Sequence, residues 1–372
     1  MKLPYHPFKE ELIMEKLKLA IIGQGRSGHN IHCRYLRSEH NTLFEVVAIV
    51  EQDAVRANRA KEEWPNCTLY TDYKELFNRN DLDLVVNATF SHTHYSITKD
   101  LLLHKFNVLV EKPFARSYYE CSELMGIAKA NGVTLAVFQQ SFLAPYYQEA
   151  LKFVASGKLG EILQVNIHFS GLSRRWDWQT LQCKLGGSVY NTGPHPIGLA
   201  LGFLDFHEQT QVVFSRLACA QTSGDAEDYA KIIMTAPGKP VVDVEISSVD
   251  AFNPYTLKIQ GTKGTFQCTI PEYKAKYIPD GKNPDRPVVK ETFRDENGYP
   301  AYPSEDLITV EESGTFDGSA FDVAVHRLYS SLHNTLTTGT PLAVPTEWAA
   351  QVINVIETVH AQNPLPVTYF AE

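Results

Sequence analysis

The chain has 372 residues, 44% hydrophobic, 11% aromatic and 21% charged, with 34 basic against 43 acidic side chains and a net charge of −9. That much apolar material excludes a disordered or fibrous chain, and the length suits two domains better than one. The acidic balance and the absence of a basic run argue against nucleic acid or an anionic membrane as a partner, and no apolar run approaches a bilayer span. Residues 1–13 carry Glu10 and Glu11 and have no apolar core, so they do not read as a secretory signal; residues 1–16 read as an N-terminal extension. Cys33, Cys67, Cys121, Cys183, Cys219 and Cys268 show no paired short spacing and read as reduced thiols, so a cytoplasmic protein is expected.

From Lys18 onward, short apolar runs alternate with helical stretches. Leu19–Ile22, Val46–Val50, Leu84–Val86, Val108–Val110 and Val133–Val137 are continuous rather than alternating, which suits strands covered on both faces. Thr71 and Asp72 open a helical stretch carrying Leu76 and Phe77, and Ser117 opens one carrying Cys121, Leu124 and Ile127. The alternation predicts an α/β fold with a doubly wound parallel sheet over residues 1–145. Past a boundary near Pro145, strand candidates follow one another at 162–169, 211–219, 231–235, 241–247, 255–260 and 265–270, joined by turns at 237–240 and 261–264. Residues 146–372 therefore read as an α+β domain on a mostly antiparallel open sheet. Residues 273–304 read as an irregular excursion, and a final helix over 346–361 puts Ala349, Val352, Ile353 and Ile356 on one stripe.

Directly after the first strand comes Gly23-Gln24-Gly25-Arg26-Ser27-Gly28, opening a helix. In a G-x-G-x-x-G turn the first glycine permits the tight turn, the second admits a pyrophosphate to the backbone, and the third lets helix and strand pack closely. The anion rests on free N–H groups of the helix N-terminus. Glu51 ends the second strand 23 residues beyond Gly28, where a carboxylate accepts from ribose hydroxyls and repels a 2′-phosphate. NAD is expected ahead of NADP, although Arg26 and Arg56 keep NADP open. His29, His32 and Cys33 cluster on the next helix, but with no fourth ligand in view they read as polar packing, and no metal is expected.

Glu111-Lys112-Pro113 follows the fourth run, placing Lys112 at the carboxyl end of a central strand, where such folds bind ligands. Beside an oxidised nicotinamide its ammonium meets a like charge, which favours deprotonation. In the second half, Gly186-Gly187-Ser188 leads to Asn191 and His195, which would share a face of one helix at i, i+4, with His195 a proton acceptor at neutral pH.

These elements, with Ala88-Thr89-Phe90-Ser91-His92-Thr93-His94, resemble the Gfo/Idh/MocA family of oxidoreductases (named for glucose–fructose oxidoreductase, inositol dehydrogenase and a rhizopine-catabolism protein), from about Lys18 to the last helix. The resemblance implies an N-terminal Rossmann domain, a C-terminal domain with a large open sheet, and homodimers or homotetramers through that sheet. It also implies that Lys112 and His195 line the active site, with Thr89, His94 and Glu111 along the cofactor. Three departures stand out: Asn191 replaces the family's aspartate, Phe90 replaces a proline, and Gln140-Ser141-Phe142 replaces an Asn-Arg-Arg that contacts substrate and nicotinamide.

The expected chemistry is hydride transfer between a secondary alcohol carbon and nicotinamide, with His195 taking the hydroxyl proton, Lys112 polarising the oxygen and Asn191 bonding substrate or imidazole. Arg174, Trp176 and Trp178 suggest a sugar, sugar acid or cyclitol, although the two tryptophans serve equally as core anchors. Two other functions stay open: a redox-neutral enzyme with tightly bound NAD that cleaves or epimerises glycosides, and a non-catalytic nucleotide-binding sensor.

Overall fold

The fold is that of a computed structural model, which describes residues 16–370; the readings of 1–13 and of the extension as far as residue 15 fall outside them. Six parallel strands, β1 (Leu17–Ile22), β2 (Phe44–Val50), β3 (Thr68–Tyr70), β4 (Leu84–Asn87), β5 (Val108–Val110) and β6 (Leu135–Val137), form a sheet in the order β3-β2-β1-β4-β5-β6. Strand order reverses about β1, which opens a crevice at the strands' carboxyl ends. β1, β4 and β5 are apolar on both faces because helices cover both. Those helices are α1 (Arg34–Leu36), which continues a π-helical turn at Gly28–Cys33, α2 (Ala54–Glu63), α3 (His94–Leu103) and α4 (Tyr118–Asn131). Asp53 caps α2 by accepting from Arg56 N, and Ser117 caps α4 by accepting from Glu120 N. The stretch expected after Thr71-Asp72 is a 3-10 helix, Tyr73–Asn78, started by a capping box of Asp72 and Glu75.

After α5 (Pro145–Ala155), an eight-stranded sheet is built from β7 (Ile162–Ser170), β8 (Gln211–Ala218), β9 (Tyr229–Thr235), β10 (Val241–Ser247), β11 (Leu257–Gly261), β12 (Gly264–Cys268), β13 (Glu272–Tyr277) and β14 (Val310–Thr315). Its neighbours are antiparallel except β7 and β10. The alternation along these strands divides the faces: Val165, Ile167, Ile232, Val242, Val244 and Ile259 are buried, while Asn166, Lys231, Asp243 and Glu245 share the opposite, polar face. There Lys231 pairs with Asp243 at 2.7 Å and Glu245 at 3.2 Å.

Two short helices, α6 (Ser188–Asn191) and α7 (Pro194–Phe203), lie between β7 and β8. The excursion read over 273–304 begins instead with β13, whose Tyr273, Ala275 and Tyr277 alternate with Lys274 and Lys276; the irregular exposed chain runs over 278–309. A helix not read from sequence, α8 (Ala320–Thr338), packs Val325, Leu328, Tyr329 and Leu332 into one cluster with Leu19, Ile21 and Phe44 of the parallel sheet. α9 (Thr346–Gln362) follows, and its Thr346 hydroxyl donates to the Leu135 carbonyl of β6.

Candidate active site

The glycine loop does three separate jobs. Gly23 sits at φ +94°, a region closed to most side chains, and a Cβ there would lie 2.6 Å from the Ala88 carbonyl oxygen. A Cβ on Gly28 would lie 1.9 Å from the Gly23 carbonyl oxygen, so helix and strand touch through bare backbone. A Cβ on Gly25 would meet nothing within 4 Å. That open, exposed backbone is where a pyrophosphate fits, with Arg26 exposed and Ser27 half-exposed beside it. Gly28→Ala is expected to cost about 1–3 kcal/mol by overpacking and to weaken nucleotide binding at least about tenfold, checked by a fluorescence titration with NADH and a denaturation curve.

Gln24 contributes through its backbone: its side chain is buried and donates to the Gly23 carbonyl at 3.2 Å, while its N–H donates to Glu51 Oε2 at 2.7 Å. Glu51 also accepts from Asp53 N at 2.8 Å and from Arg56 Nε and Nη2 at 3.0 and 3.1 Å. Burial opposes its charge, but these donors outweigh burial and hold its carboxyl below the usual range. His29 and His32 diverge, His29 to Glu63 at 2.9 Å and His32 inward, so the three residues read as a cluster do not converge on a common point.

At the ends of β4 and β5 the polar groups interlock. The Thr89 hydroxyl donates to Asn87 Oδ1 at 2.7 Å. The buried His94 ring spans the Pro113 carbonyl at 2.7 Å and the Thr89 carbonyl at 3.2 Å, so it braces the crevice floor. Glu111 is buried and accepts from its own neighbour, Lys112 N, at 3.0 Å. Burial opposes its ionisation, but the hydrogen bond to His32 and the nearby Lys112 charge keep its carboxyl low. The Lys112 side chain crosses the crevice, and Nζ donates to the Asn191 carbonyl at 2.7 Å. Desolvation, with Arg26 and Arg175 nearby, pushes its ammonium down, against the Glu111 carboxylate.

Asn191 and His195 do not share a helix. α6 ends at Asn191 and α7 starts at Pro194, which has no N–H to continue the first helix and supplies a fixed φ to the second. The Asn191 amide oxygen accepts from Gln179 Nε2 at 2.9 Å, so the asparagine is held by Gln179 and not by the imidazole. His195 Nδ1 faces Ser141 Oγ at 3.2 Å, and its ring lies near-parallel to Phe169 at 6.4 Å. With desolvation and the Lys112 charge unopposed by any bonded carboxylate, the imidazole is pushed down to about 3 and stays neutral. Beside it Gln139 Nε2 donates to the Pro194 carbonyl at 3.0 Å, and Gln140 Oε1 is buried without a partner. That orphaned acceptor, just past the carboxyl end of β6, and the bare Gly25 backbone are groups that could hold a dinucleotide.

A cavity of about 450 Å³ opens alongside, lined among others by Phe169, Arg175, Ser188, Asn191, Thr192 and Asp228. Its charges are internally occupied: Arg175 Nη2 lies 2.8 Å from Asp177 Oδ2, and Asp228 accepts from Ala220 N and Gln221 N at 2.6 and 2.7 Å. The remaining polar lining is mainly hydroxyl and amide, with the His168 imidazole, whose Nδ1 has no partner. Of the Arg174–Trp178 run, Arg174 is exposed and donates to Gln221 at 3.3 Å, outside the cavity lining. Trp176 is 79% exposed, which overturns its reading as a core anchor. Trp178 meets Phe90 edge-on at 5.0 Å, bridging the lobes with the residue that departs from the family's proline. Sequence reasoning passed over Gln179, Ser141 as a partner of His195, and Glu227, whose carboxylate accepts from Val189 N at 2.8 Å and faces His360 at 3.4 Å. The double glycine was the available signal for Glu227, since a Cβ on Gly187, at φ +99°, would lie 2.4 Å from that carboxylate.

Comparison with known proteins matches residues 17–139 to the model of the oxidoreductase family with an NAD-binding Rossmann fold, GFO_IDH_MocA, and residues 147–267 to its C-terminal domain. An uncharacterised oxidoreductase of Schizosaccharomyces pombe is 30% identical over 263 residues, 68% of this chain and 71% of that protein. The 2,7-anhydro-N-acetylneuraminate hydratase of Mediterraneibacter gnavus is 23% identical over 277 residues, 72% of this chain and 71% of that protein. Among solved structures, GenD2 from gentamicin A biosynthesis in complex with NAD superposes with a TM-score of 0.75 at 19% identity, covering 96% of each chain. With both family domains matched in order, a glycine loop shaped for a dinucleotide and a lysine reaching across the crevice, the chain belongs to the Gfo/Idh/MocA family of NAD-binding oxidoreductases.

Proposed function

We propose that the protein is a dehydrogenase that oxidises or forms a secondary alcohol on a polyhydroxylated small molecule (a sugar, sugar acid or cyclitol), with NAD as the preferred cofactor. The observation that carries this reading is that Lys112 from the first lobe reaches Asn191, which lines the cavity, with His195 beside the lining residue Phe169 and near the Lys112 charge. Glu51, held ionised at the end of β2, supports NAD, because a fixed negative charge there disfavours a 2′-phosphate. When bound, the nicotinamide supplies the hydride chemistry. The chain supplies the rest. The Lys112 ammonium donates to the alcohol oxygen and stabilises its developing charge, as it now donates to the Asn191 carbonyl. The neutral His195 accepts the hydroxyl proton, oriented by Ser141, and Asn191, fixed by Gln179, offers its amide to a neighbouring hydroxyl. From the tryptophan run, Arg175 is the side chain that lines the cavity, while Trp178 packs edge-on against Phe90.

A redox-neutral cycle is the second reading, favoured by the same imidazole. His195 has no carboxylate partner, and the group on its Nδ1 is a serine, so it is poorly equipped to hold a proton between turnovers. In a cycle that returns the proton to the same substrate, that weakness costs little. We also propose a cytoplasmic homo-oligomer that pairs through the polar face of the eight-stranded sheet. Free cysteines throughout the described residues and the Lys231 ion pairs on that face support it. Light scattering on the purified protein reports the subunit count.

The deciding experiment is a screen of polyols, aldoses and uronic acids with NAD and with NADP, following nicotinamide absorbance. Turnover with NAD on at least one compound is expected. Bound NAD with no absorbance change on any compound would count against a net dehydrogenase and for the redox-neutral or sensor reading.

A further inference from the structure

The mechanism above leaves one chain of buried groups unused. His32, in the π-helical turn behind the glycine loop, is 0% exposed, and both its ring nitrogens are engaged. Nδ1 lies 2.8 Å from the Tyr329 hydroxyl of α8, and Nε2 lies 3.2 Å from Glu111 Oε1. The other oxygen of Glu111 holds the Lys112 N–H at 3.0 Å. The imidazole is wedged against Phe138 with centroids 4.5 Å apart, and Tyr329 stacks on Tyr35 at 4.8 Å, so neither ring is free to turn away.

The partners along this row favour one arrangement of protons. Burial keeps the Tyr329 phenol protonated, so it donates to Nδ1. A neutral imidazole that accepts at Nδ1 carries its proton on Nε2 and donates to the Glu111 carboxylate. Lys112 is faced by Arg26 from the glycine loop, Arg175 from the chain after β7, and His195 from α7, with Glu111 the carboxylate that opposes them. Around Glu111 itself stand His32, Lys112 and His94, and around Tyr329 stand Tyr35 and Cys33.

We propose that Tyr329 and His32 are positioning residues that fix the charge of Lys112 through Glu111, so that the C-terminal helix α8 tunes the catalytic lysine of the nucleotide-binding lobe. This rests on the reading of Lys112 as the group on the substrate oxygen. Without the Nε2–H donor, Glu111 loses the bond that favours its ionised form and tends to take up a proton. The lysine then faces Arg26 and Arg175 with less opposition and is deprotonated at lower pH. Removing the Tyr329 hydroxyl acts in the same direction. It frees the Nδ1–H tautomer, which gives Glu111 nothing, or it lets the ring become an imidazolium that cancels the Glu111 charge.

The test needs no substrate. Purified protein is labelled briefly with acetic anhydride across a pH series, and acetylation of Lys112 is read by peptide mass spectrometry, because only the free amine reacts. In His32→Leu and Tyr329→Phe the midpoint is expected to fall by about one pH unit, a tenfold rise in labelling below the midpoint, with NADH affinity unchanged; His32→Gln, whose amide can donate to Glu111, is expected to recover most of the shift. An unchanged midpoint in both Tyr329→Phe and His32→Leu would overturn the proposal. If His32→Leu does not fold, Tyr329→Phe, which removes a single oxygen, decides alone. Because labelling reports lysine charge and not turnover, failure of the dehydrogenase reading would appear in the substrate screen and not here.

Discussion

Replacing Lys112 with alanine is expected to lower kcat by about 10²- to 10⁴-fold while leaving NAD affinity within about twofold of wild type, the range found for loss of a positioned proton-handling group. The two effects are expected to separate because Lys112 stretches away from the open Gly25 turn to the second lobe. Lys112→Arg sharpens the comparison. Arginine keeps a positive charge but cannot surrender a proton, and its planar fork does not fit the single carbonyl contact that Nζ makes with Asn191. If Lys112→Ala turned over the substrate found in the screen at the wild-type rate, Lys112 would have no part in the chemistry; activity in Lys112→Arg alone would show that its positive charge suffices.

Glu227→Ala is expected to lower stability by about 1–3 kcal/mol, measured by urea denaturation at pH 6, because it orphans a buried backbone N–H and removes the carboxylate from a half-buried histidine. Glu227 is 2% exposed; one oxygen takes Val189 N at 2.8 Å and the other faces His360 Nε2 at 3.4 Å. Burial works against the His360 charge, but the Glu227 hydrogen bond and charge overcome it and raise the imidazole above its usual value. A histidine raised in the folded state stabilises fully below its unfolded value, and that part fades as pH climbs through the folded one. The gap between wild type and Glu227→Ala should therefore be widest near pH 6 and narrower at pH 8, leaving the Val189 contribution. Glu227→Gln should keep most of that remainder. A gap independent of pH would mean that His360 does not share its proton with Glu227.

How far sequence reached can be traced through particular residues. The strands β1, β2, β4 and β5 were legible because burial on both faces leaves unbroken apolar runs. β3 is three residues long, Thr68–Tyr70, with none fully buried, and carries no such signature. β14, Val310-Glu-Glu-Ser-Gly-Thr315, is a polar edge strand whose place is set by pairing with β13 alone. α8 is a different case. Val325, Leu328, Tyr329 and Leu332 fall at helical spacing between a Ser319 cap and a left-handed Gly339, so its signal was present in the sequence. In the site, the glycine loop and Lys112 could be read because local chain geometry dictates them. The partners of Asn191, His195 and Lys112 could not, since Gln179, Ser141 and the Asn191 carbonyl arrive from 12, 54 and 79 residues away in the chain. The single-helix expectation for Asn191 and His195 failed on Pro194, a residue whose effect on the preceding turn is readable from sequence.

The seating of α8 against β1 and β2 bears on how this protein is made. A ribosome that has released residues 16–145 has delivered all six parallel strands, yet the wall formed by Leu19, Ile21 and Phe44 is still missing Val325, Leu328 and Leu332, nearly two hundred residues from emerging. Until then that lobe carries an unshielded apolar flank and lacks the phenol that Tyr329 brings to His32. Burial of that flank thus waits for the end of the polypeptide, and a fragment cut at the lobe boundary would be sticky in solution.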